Sequence, residues 1–348
     1  MGGAVVHRSA RRYRRARRLR SEKRGVVAVI GTLLALLVFF ALFGIFLTQY
    51  VPLWMTDNES AFTSGALTSF AQFKSDVDTQ YVLGAPPTLG APFAVSSDGI
   101  PLLAQPTEGT LTFTPNTCPG GFYLPTTSGE TSTNLGQPTN PAYCVFENQT
   151  IQYGPGGSGK YYQSVATGIL SMQLPNRYYP PEYLQYEADG VVQVQSGGYQ
   201  IVAFAPPLNI TSLAGNTTVS ATFLQLYGNA TSVITQGSQE VYSHLRYAQH
   251  ITSNGIPTAR SFSYSFEIGT QYPCAWSQFL QSQMNVSGVP AAQYNWTNPV
   301  THVATVPYAG SCASAAGVTT VLALNLKAVN YVSLYYAGTL VTVGIGSS

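Results

Sequence analysis

Charge is nearly absent from this sequence once its first 25 residues are past. Ten of the sixteen Lys and Arg crowd into residues 1–25 (Arg8, Arg11, Arg12, Arg14, Arg15, Arg17, Arg18, Arg20, Lys23, Arg24) beside one acid, Glu22, while residues 26–348 hold six bases and thirteen acids. So few titrating groups suit a host living in acid or heat; loss of the body's structure below about pH 4, where carboxylates protonate, would count against that expectation. In isolation the arginine arm could bind nucleic acid. Flush against an apolar run, it reads instead as a topology determinant that touches anionic lipid, so no nucleic-acid partner is expected.

Histidine is scarce too. Beyond the arm only His244, His250 and His302 occur, and no C-x-x-C accompanies them, which argues against a zinc cluster. His244 and His250 are six apart, a spacing that suits neither an H-E-x-x-H helix nor a compact metal hairpin. No G-x-S-x-G elbow exists to anchor a hydrolase triad. Gly154–Lys160 (GPGGSGK) matches G-x-x-x-x-G-K, but Tyr161 stands where Ser or Thr would hold magnesium, and a strand-like stretch follows. It reads as a glycine-rich turn. Asp76 and Asp78 point apart on a helix and read as a solvated face. Glu182, Glu187 and Asp189 form a loose acidic cluster whose alternative reading is weak calcium binding. No catalytic residue, cofactor or metal site is expected, and the chain reads as a non-enzyme.

What the chain does have begins at Val26. Val26–Leu47 (VVAVIGTLLALLVFFALFGIFL) contains no charge and would span about 33 Å as a helix, enough for a bilayer core of about 30 Å. It is longer than a signal-peptide core and lacks an A-x-A-like cleavage site, so it is expected to stay in the protein. A basic arm before such a run is cytoplasmic, which puts the C-terminal bulk outside the cell on a single-pass anchor in contact with membrane lipid. Pro52 is expected to interrupt or kink the helix. Phe62, Ala66, Phe70, Phe73, Val77 and Tyr81 then recur at spacings of three and four, with Asp57, Glu59, Asp76 and Asp78 on other faces and Asp57 or Asn58 as N-cap.

From residue 82 the composition turns to Gly, Pro, Thr, Ser and Tyr. Candidate strands are Thr110–Thr114, Tyr143–Glu147, Tyr162–Met172, Val191–Gln195, Gln200–Phe204, Val219–Tyr227, Ser261–Ile268, Thr319–Leu326, Val329–Tyr336 and the closing GTLVTVGIG. One helix, Cys274–Asn285, aligns Trp276, Phe279, Leu280 and Met284. Residues 125–141 and 154–160 read as surface loops. The expected architecture is a long N-terminal helix, transmembrane then stalk, followed by a mainly-β, sandwich-like extracellular head. Its segments are 1–25 (arm), 26–50 (transmembrane), 51–81 (stalk) and 82–348 (head, with a possible subdivision near 205). All four cysteines (Cys118, Cys144, Cys274, Cys312) lie in the head, where an even count favours disulfides; of three possible pairings the neighbour pairing, Cys118–Cys144 with Cys274–Cys312, is simplest. Sequons at Asn58, Asn148, Asn209, Asn216, Asn229, Asn285 and Asn295 make those residues glycosylation candidates.

The junction Glu22-Lys23-Arg24-Gly25, followed by Val26-Val27-Ala28-Val29-Ile30-Gly31, resembles the processing site of archaeal type IV pilins and archaellin-like proteins. The resemblance implies a leader cut by a prepilin peptidase between Gly25 and Val26, so that Lys23, Arg24, Gly25 and Val26 are processing residues. It also implies a helix that packs against like subunits or other pilins in a filament core, and a structural or adhesive role. Tyr186-Glu187-Ala188-Asp189-Gly190-Val191-Val192 and then Ala205-Pro206-Pro207-Leu208 resemble the strand pair and Pro-Pro turn of archaeal pilin-like surface proteins. The glutamate that many bacterial pilins carry near the mature start is absent, and the head is large, which favours a minor or tip pilin or an unpolymerised pilin-like protein. The alternative is a permanently anchored single-pass protein with a ligand-binding or envelope-structural ectodomain.

Overall fold

The computed structural model describes residues 29–84, 87–115, 144–153, 157–166, 168–213, 216–234, 236–252, 262–297, 304–305 and 320–344. The basic arm, the Lys23-Arg24-Gly25-Val26 junction, Cys118, Cys312, His302 and the expected loop 125–141 lie outside them.

Helix α1 runs without interruption from Val29 to Leu83. The expected break at Pro52 does not occur. Pro52 has no N–H, and its ring would press on the carbonyl four residues back. The five residues Phe46–Tyr50 just before it form a wider, π-helical turn, and the Val51 N–H reaches back to the Phe46 carbonyl. That extra residue shifts the local bonding pattern and lets the helix carry a proline. Asp57 and Asn58 are consequently interior helical residues rather than caps.

The described chain forms two compact units: one holds the residues up to Asp57 together with Ile100–Gln105, the other Asn58–Gly99 and the chain from Pro106 onward. In the first, the apolar part of α1 is bare. Val29, Leu33, Leu37 and Phe40 are each more than half exposed, and the most apolar 18-residue window has a mean hydropathy of 2.8 with none of it buried. Among the described residues this is the one helix long and apolar enough to cross a membrane, which is consistent with a single-pass anchor.

The second unit is the β-rich head, and its strands in chain order are β1 (Leu89–Ala94), β2 (Thr110–Thr114), β3 (Cys144–Tyr153), β4 (Gly157–Ala166), β5 (Ile169–Leu174), β6 (Glu182–Glu187), β7 (Gly190–Gln195), β8 (Gln200–Phe204), β9 (Leu208–Leu213), β10 (Asn216–Gly228), β11 (Thr231–Val233), β12 (Ser238–Thr252) and β13 (Phe262–Thr270). Helix α2 (Pro273–Val286) follows, then β14 (Tyr294–Thr297), β15 (Ala304–Thr305) and β16 (Thr320–Val343). Strands β11-β2-β5-β6-β7-β8 form one antiparallel sheet. The larger sheet gathers around β16, which pairs antiparallel with β12, β13 and β14 and in parallel with β10. The head is therefore a mixed-sheet domain behind a long helix. The expected fold class holds, with one parallel pair added.

Three local expectations differ. The segments Thr319–Leu326, Val329–Tyr336 and most of the closing one are a single strand, β16; at Lys327 and Ala328 its register with β13 shifts, between the Tyr264–Leu326 and Phe262–Val329 pairs, without ending the strand. Tyr162–Met172 is instead two strands in two sheets. It parts near Gly168, where a Cβ would sit 2.9 Å from the Leu226 carbonyl oxygen and 2.9 Å from the Phe113 ring. Residues 157–160 belong to β4, paired with β3 in a hairpin, rather than to a loop.

The polar strands were the least visible in the sequence, β6 (EYLQYE) above all, because Glu182, Gln185 and Glu187 are buried in it.

Two cores result. In one, Phe62, Ala66, Phe70, Phe73 and Val77 of α1 pack with Leu170, Leu184, Tyr186 and Val191 of the smaller sheet and Leu226 of β10. In the other, Trp276, Leu280 and Met284 of α2 pack with Val192, Tyr264 and Leu324. Val191 and Val192 face opposite cores, so β7 is buried on both sides and shows no alternation. Phe70 is fully buried against the Phe93 ring, centroids 5.1 Å apart. Phe70→Ala should lower head stability by about 3–5 kcal/mol in chemical denaturation. Phe43→Ala, in the bare part of the helix, should leave the same transition unmoved.

Candidate functional site

The stripe that buries α1 in the head is closed at both ends by polar side chains. Glu59 precedes Phe62 by three residues and Gln80 follows Val77 by three, so both fall on the buried face. Glu59 had been expected on a face other than the apolar stripe; it is fully buried. The reason lies in the β5–β6 loop. Glu59 accepts backbone N–H groups from Arg177 (3.0 Å to each oxygen), Tyr178 (2.7 Å) and Tyr179 (2.8 Å), and the Thr107 hydroxyl at 2.6 Å. Beside them Asn176 donates to the Thr63 hydroxyl at 3.0 Å. Burial pushes the carboxyl up, but the Thr107 hydroxyl and the three amides together hold it below the usual glutamate value. Among the described residues no cation takes part. Successive amides do the work of one. At the other end Gln80 Nε2 donates to the Ser243 carbonyl at 2.7 Å.

A second cluster forms where the β6–β7 hairpin meets α1. Glu187 pairs with Gly190, leaving a two-residue turn, Ala188-Asp189, with φ of 48° and 61°. Such turns ordinarily use Asn-Gly, since both positions are left-handed. Asp189 is fully buried, accepts the Tyr186 hydroxyl at 2.5 Å and lies 3.6 Å from Lys74 Nζ, which also pairs with Asp78 at 2.8 Å. Its second oxygen has no hydrogen-bond partner among the described residues. Burial raises the Asp189 carboxyl to about 7; the Lys74 charge opposes that rise and Asp78 adds to it. A groove of about 550 Å³ bordered by Lys74, Asp78 and Phe204 opens beside the lysine, and Asp189 does not line it.

Glu187, one step before the turn, accepts the Thr270 hydroxyl (2.6 Å), the Trp276 indole N–H (2.6 Å) and the Gln185 amide (2.5 Å). Burial still prevails and its carboxyl is raised. Gly190 allows this contact, since a Cβ there would lie 2.9 Å from the Trp276 ring.

The acidic cluster read from the sequence therefore splits three ways. Glu182 accepts Gln193 and Gln195, Glu187 faces α2, and Asp189 faces α1. Among the described residues no group of three or more His, Cys, Asp and Glu could hold a metal. His244 Nδ1 lies 3.1 Å from the Thr88 hydroxyl, and His250 sits further along β12. Lys160 is a strand residue opposite Thr150, with no helix after it.

The disulfide expectation is corrected. No disulfide bond is found between described residues, and the pairings Cys118–Cys144 and Cys274–Cys312 each include a residue outside them. A bridge needs both sulfurs about 2 Å apart. Cys118 and Cys312 lie outside the described residues and Cys144 is placed only by its backbone on β3, while Cys274, buried in the first turn of α2, is not a free thiol. Of the sequon residues, Asn209, Asn216, Asn229 and Asn285 are exposed and Asn295 is half-buried. Asn148 is on β3, and Asn58 is on α1 with its amide donating to the Asp98 carbonyl at 3.0 Å. Comparison with protein-family models, curated proteins and solved structures gives no match.

The clasps make stability depend on pH with two opposite signs. Asp189 and Glu187 bind protons more readily folded than unfolded, so stability grows as pH falls through their raised values, for Asp189 through about 7 and hence between about 8 and 5. Glu59 has the reverse sign, and its contribution is lost as pH falls below the ordinary glutamate value of 4.5 and through the lowered folded one. Urea midpoints should therefore peak on the acid side of neutrality, and Asp189→Asn, which also tolerates the left-handed φ, should flatten the rise between pH 8 and 5. Glu59→Gln should cost about 3 kcal/mol at neutral pH, since it unpairs amides held by a charge. A wild-type midpoint that fails to rise between pH 8 and 5 would contradict the assignment.

Proposed function

We propose that this chain is a type IV pilin-like surface subunit, structural or adhesive rather than catalytic, with its basic arm inside and its β head facing the surroundings. The observation that carries this reading is the division of labour along one unbroken helix. Up to Leu47, α1 offers exposed apolar side chains apart from Thr32 and the half-buried Phe46, whereas from Phe62 to Val77 its stripe is core of the β domain. A bare apolar helix must be covered by lipid or by other helices. Gly31 and Gly44 leave room for a neighbour, since a Cβ at either would meet nothing within 4 Å. Lys23-Arg24-Gly25 before Val26 supplies the matching junction for a prepilin peptidase.

Intact mass and N-terminal peptides from native membranes and from the sheared surface fraction test this. A chain starting at Val26 and present in the sheared fraction is expected. Gly25→Leu should retain residues 1–25 and vanish from that fraction. Unchanged size and assembly in this variant would sink the proposal and leave a permanently anchored protein, with the head's ligand as the next question.

A further inference from the structure

Ile100–Gln105 (IPLLAQ) carries no charge and lies in the same compact unit as the apolar helix. It is a closed turn. Ile100 and Ala104 exchange N–H···O bonds of 2.9 Å each, and the Leu103 N–H donates to the Ile100 carbonyl at 3.0 Å. Pro101 takes the second corner, where its fixed φ is favoured, and Leu102 takes the third, at φ 65°. That corner belongs to Gly or Asn; a leucine there is strained by about 1–2 kcal/mol. Leu102 is also fully exposed, at 106% of its reference area. A branched apolar side chain thus occupies a strained site and, in water, touches nothing that would offset the strain.

The same unit holds further exposed apolar and aromatic groups. Tyr50, Leu53 and Trp54 are 52%, 58% and 44% exposed, and the Trp54 ring meets Phe46 edge-on at 5.5 Å. The chain is free of charge from Val26 to Thr56. As helix this is about 46 Å, close to the full bilayer with its headgroup zones, of which the hydrocarbon accounts for about 30 Å. Tyr50 and Trp54 fall in the last part of that length, where aromatic side chains settle at the membrane boundary.

We propose that the Ile100–Gln105 turn is a membrane-contacting finger that sets Leu102 into the lipid boundary beside Tyr50 and Trp54, giving the single-span anchor a second point of attachment to the bilayer. The chemistry fits a lipid surface. Three backbone N–H groups are bonded within the turn and Pro101 has none to satisfy, so insertion leaves few polar groups unpaired. No charged side chain has to be dragged in. The inference rests on the anchored reading of α1 and does not need filament assembly.

The test uses the full chain in phosphatidylcholine–phosphatidylglycerol vesicles containing a phosphatidylcholine with a diazirine high on its acyl chain. After illumination, labelled peptides are read by mass spectrometry. Label is expected on Val29–Leu47 and also on the peptide holding 100–105. Leu102→Asp should cut the loop label about ten-fold or more while the helix label holds. Leu102→Gly, which removes the strain and so guards against misfolding, should cut it likewise with an unshifted or raised thermal transition. A labelled helix beside an unlabelled loop, or a loop label indifferent to both substitutions, overturns the finger while leaving the anchor in place. An unlabelled helix overturns the anchor and the finger together.

Discussion

Phe62, Ala66, Phe70, Phe73 and Val77 present α1 to the sheets along one stripe, and the head depends on that stripe staying covered. Five large or close-packed apolar residues on one face of a helix supply much of this core. The smaller sheet is sandwiched as a consequence. Val191 looks toward α1 and Val192 toward the α2 core, so β7 has no wet face. Helix, sheet and second helix are stacked layers, and losing the first would strip one side of the sheet.

Polar groups decide how tightly the helix is held and in which register. Apolar packing is tolerant of small slips, whereas Glu59 in its nest of amides and Lys74 beside Asp189 are not. The two clasps differ in kind. Glu59 is served by one hydroxyl and three amides and, among the described residues, has no counter-ion. Asp189 sits in a turn of two left-handed non-glycine residues, with, among the described residues, one oxygen unpartnered and a single cation at 3.6 Å. One is a firm lock and the other a loaded, proton-sensitive one. A body with so few charges has placed several of them inside, at the joints.

How legible was this in the chain? The apolar run, the stripe on α1 and the face of α2 follow directly from spacing, because a helix repeats every 3.6 residues whatever surrounds it. Strands with apolar or β-branched runs, such as Thr110–Thr114 and Gln200–Phe204, were legible to the residue. Strand β6 was not, since its buried glutamates and glutamine mimic a surface segment. Pro52 misled in the opposite direction, because a π turn five residues long absorbs what an ideal helix could not. The cysteine count suggested bridges that no described pair makes.

The sequence by itself determined that an apolar helix long enough for a bilayer leads into a β-rich domain, because hydrophobicity, periodicity and charge are local properties of the chain. Only the tertiary structure decided that Glu59 is an inward-facing clasp, that Asp189 is buried in a strained turn, that Gly190 makes room for Trp276 and that Leu102 stands bare at a strained corner. Each of these depends on what distant residues bring to the spot: amides from 118–120 positions away, or an indole 89 positions on. A side chain's type states what it can bond, and the fold alone states what is there to be bonded.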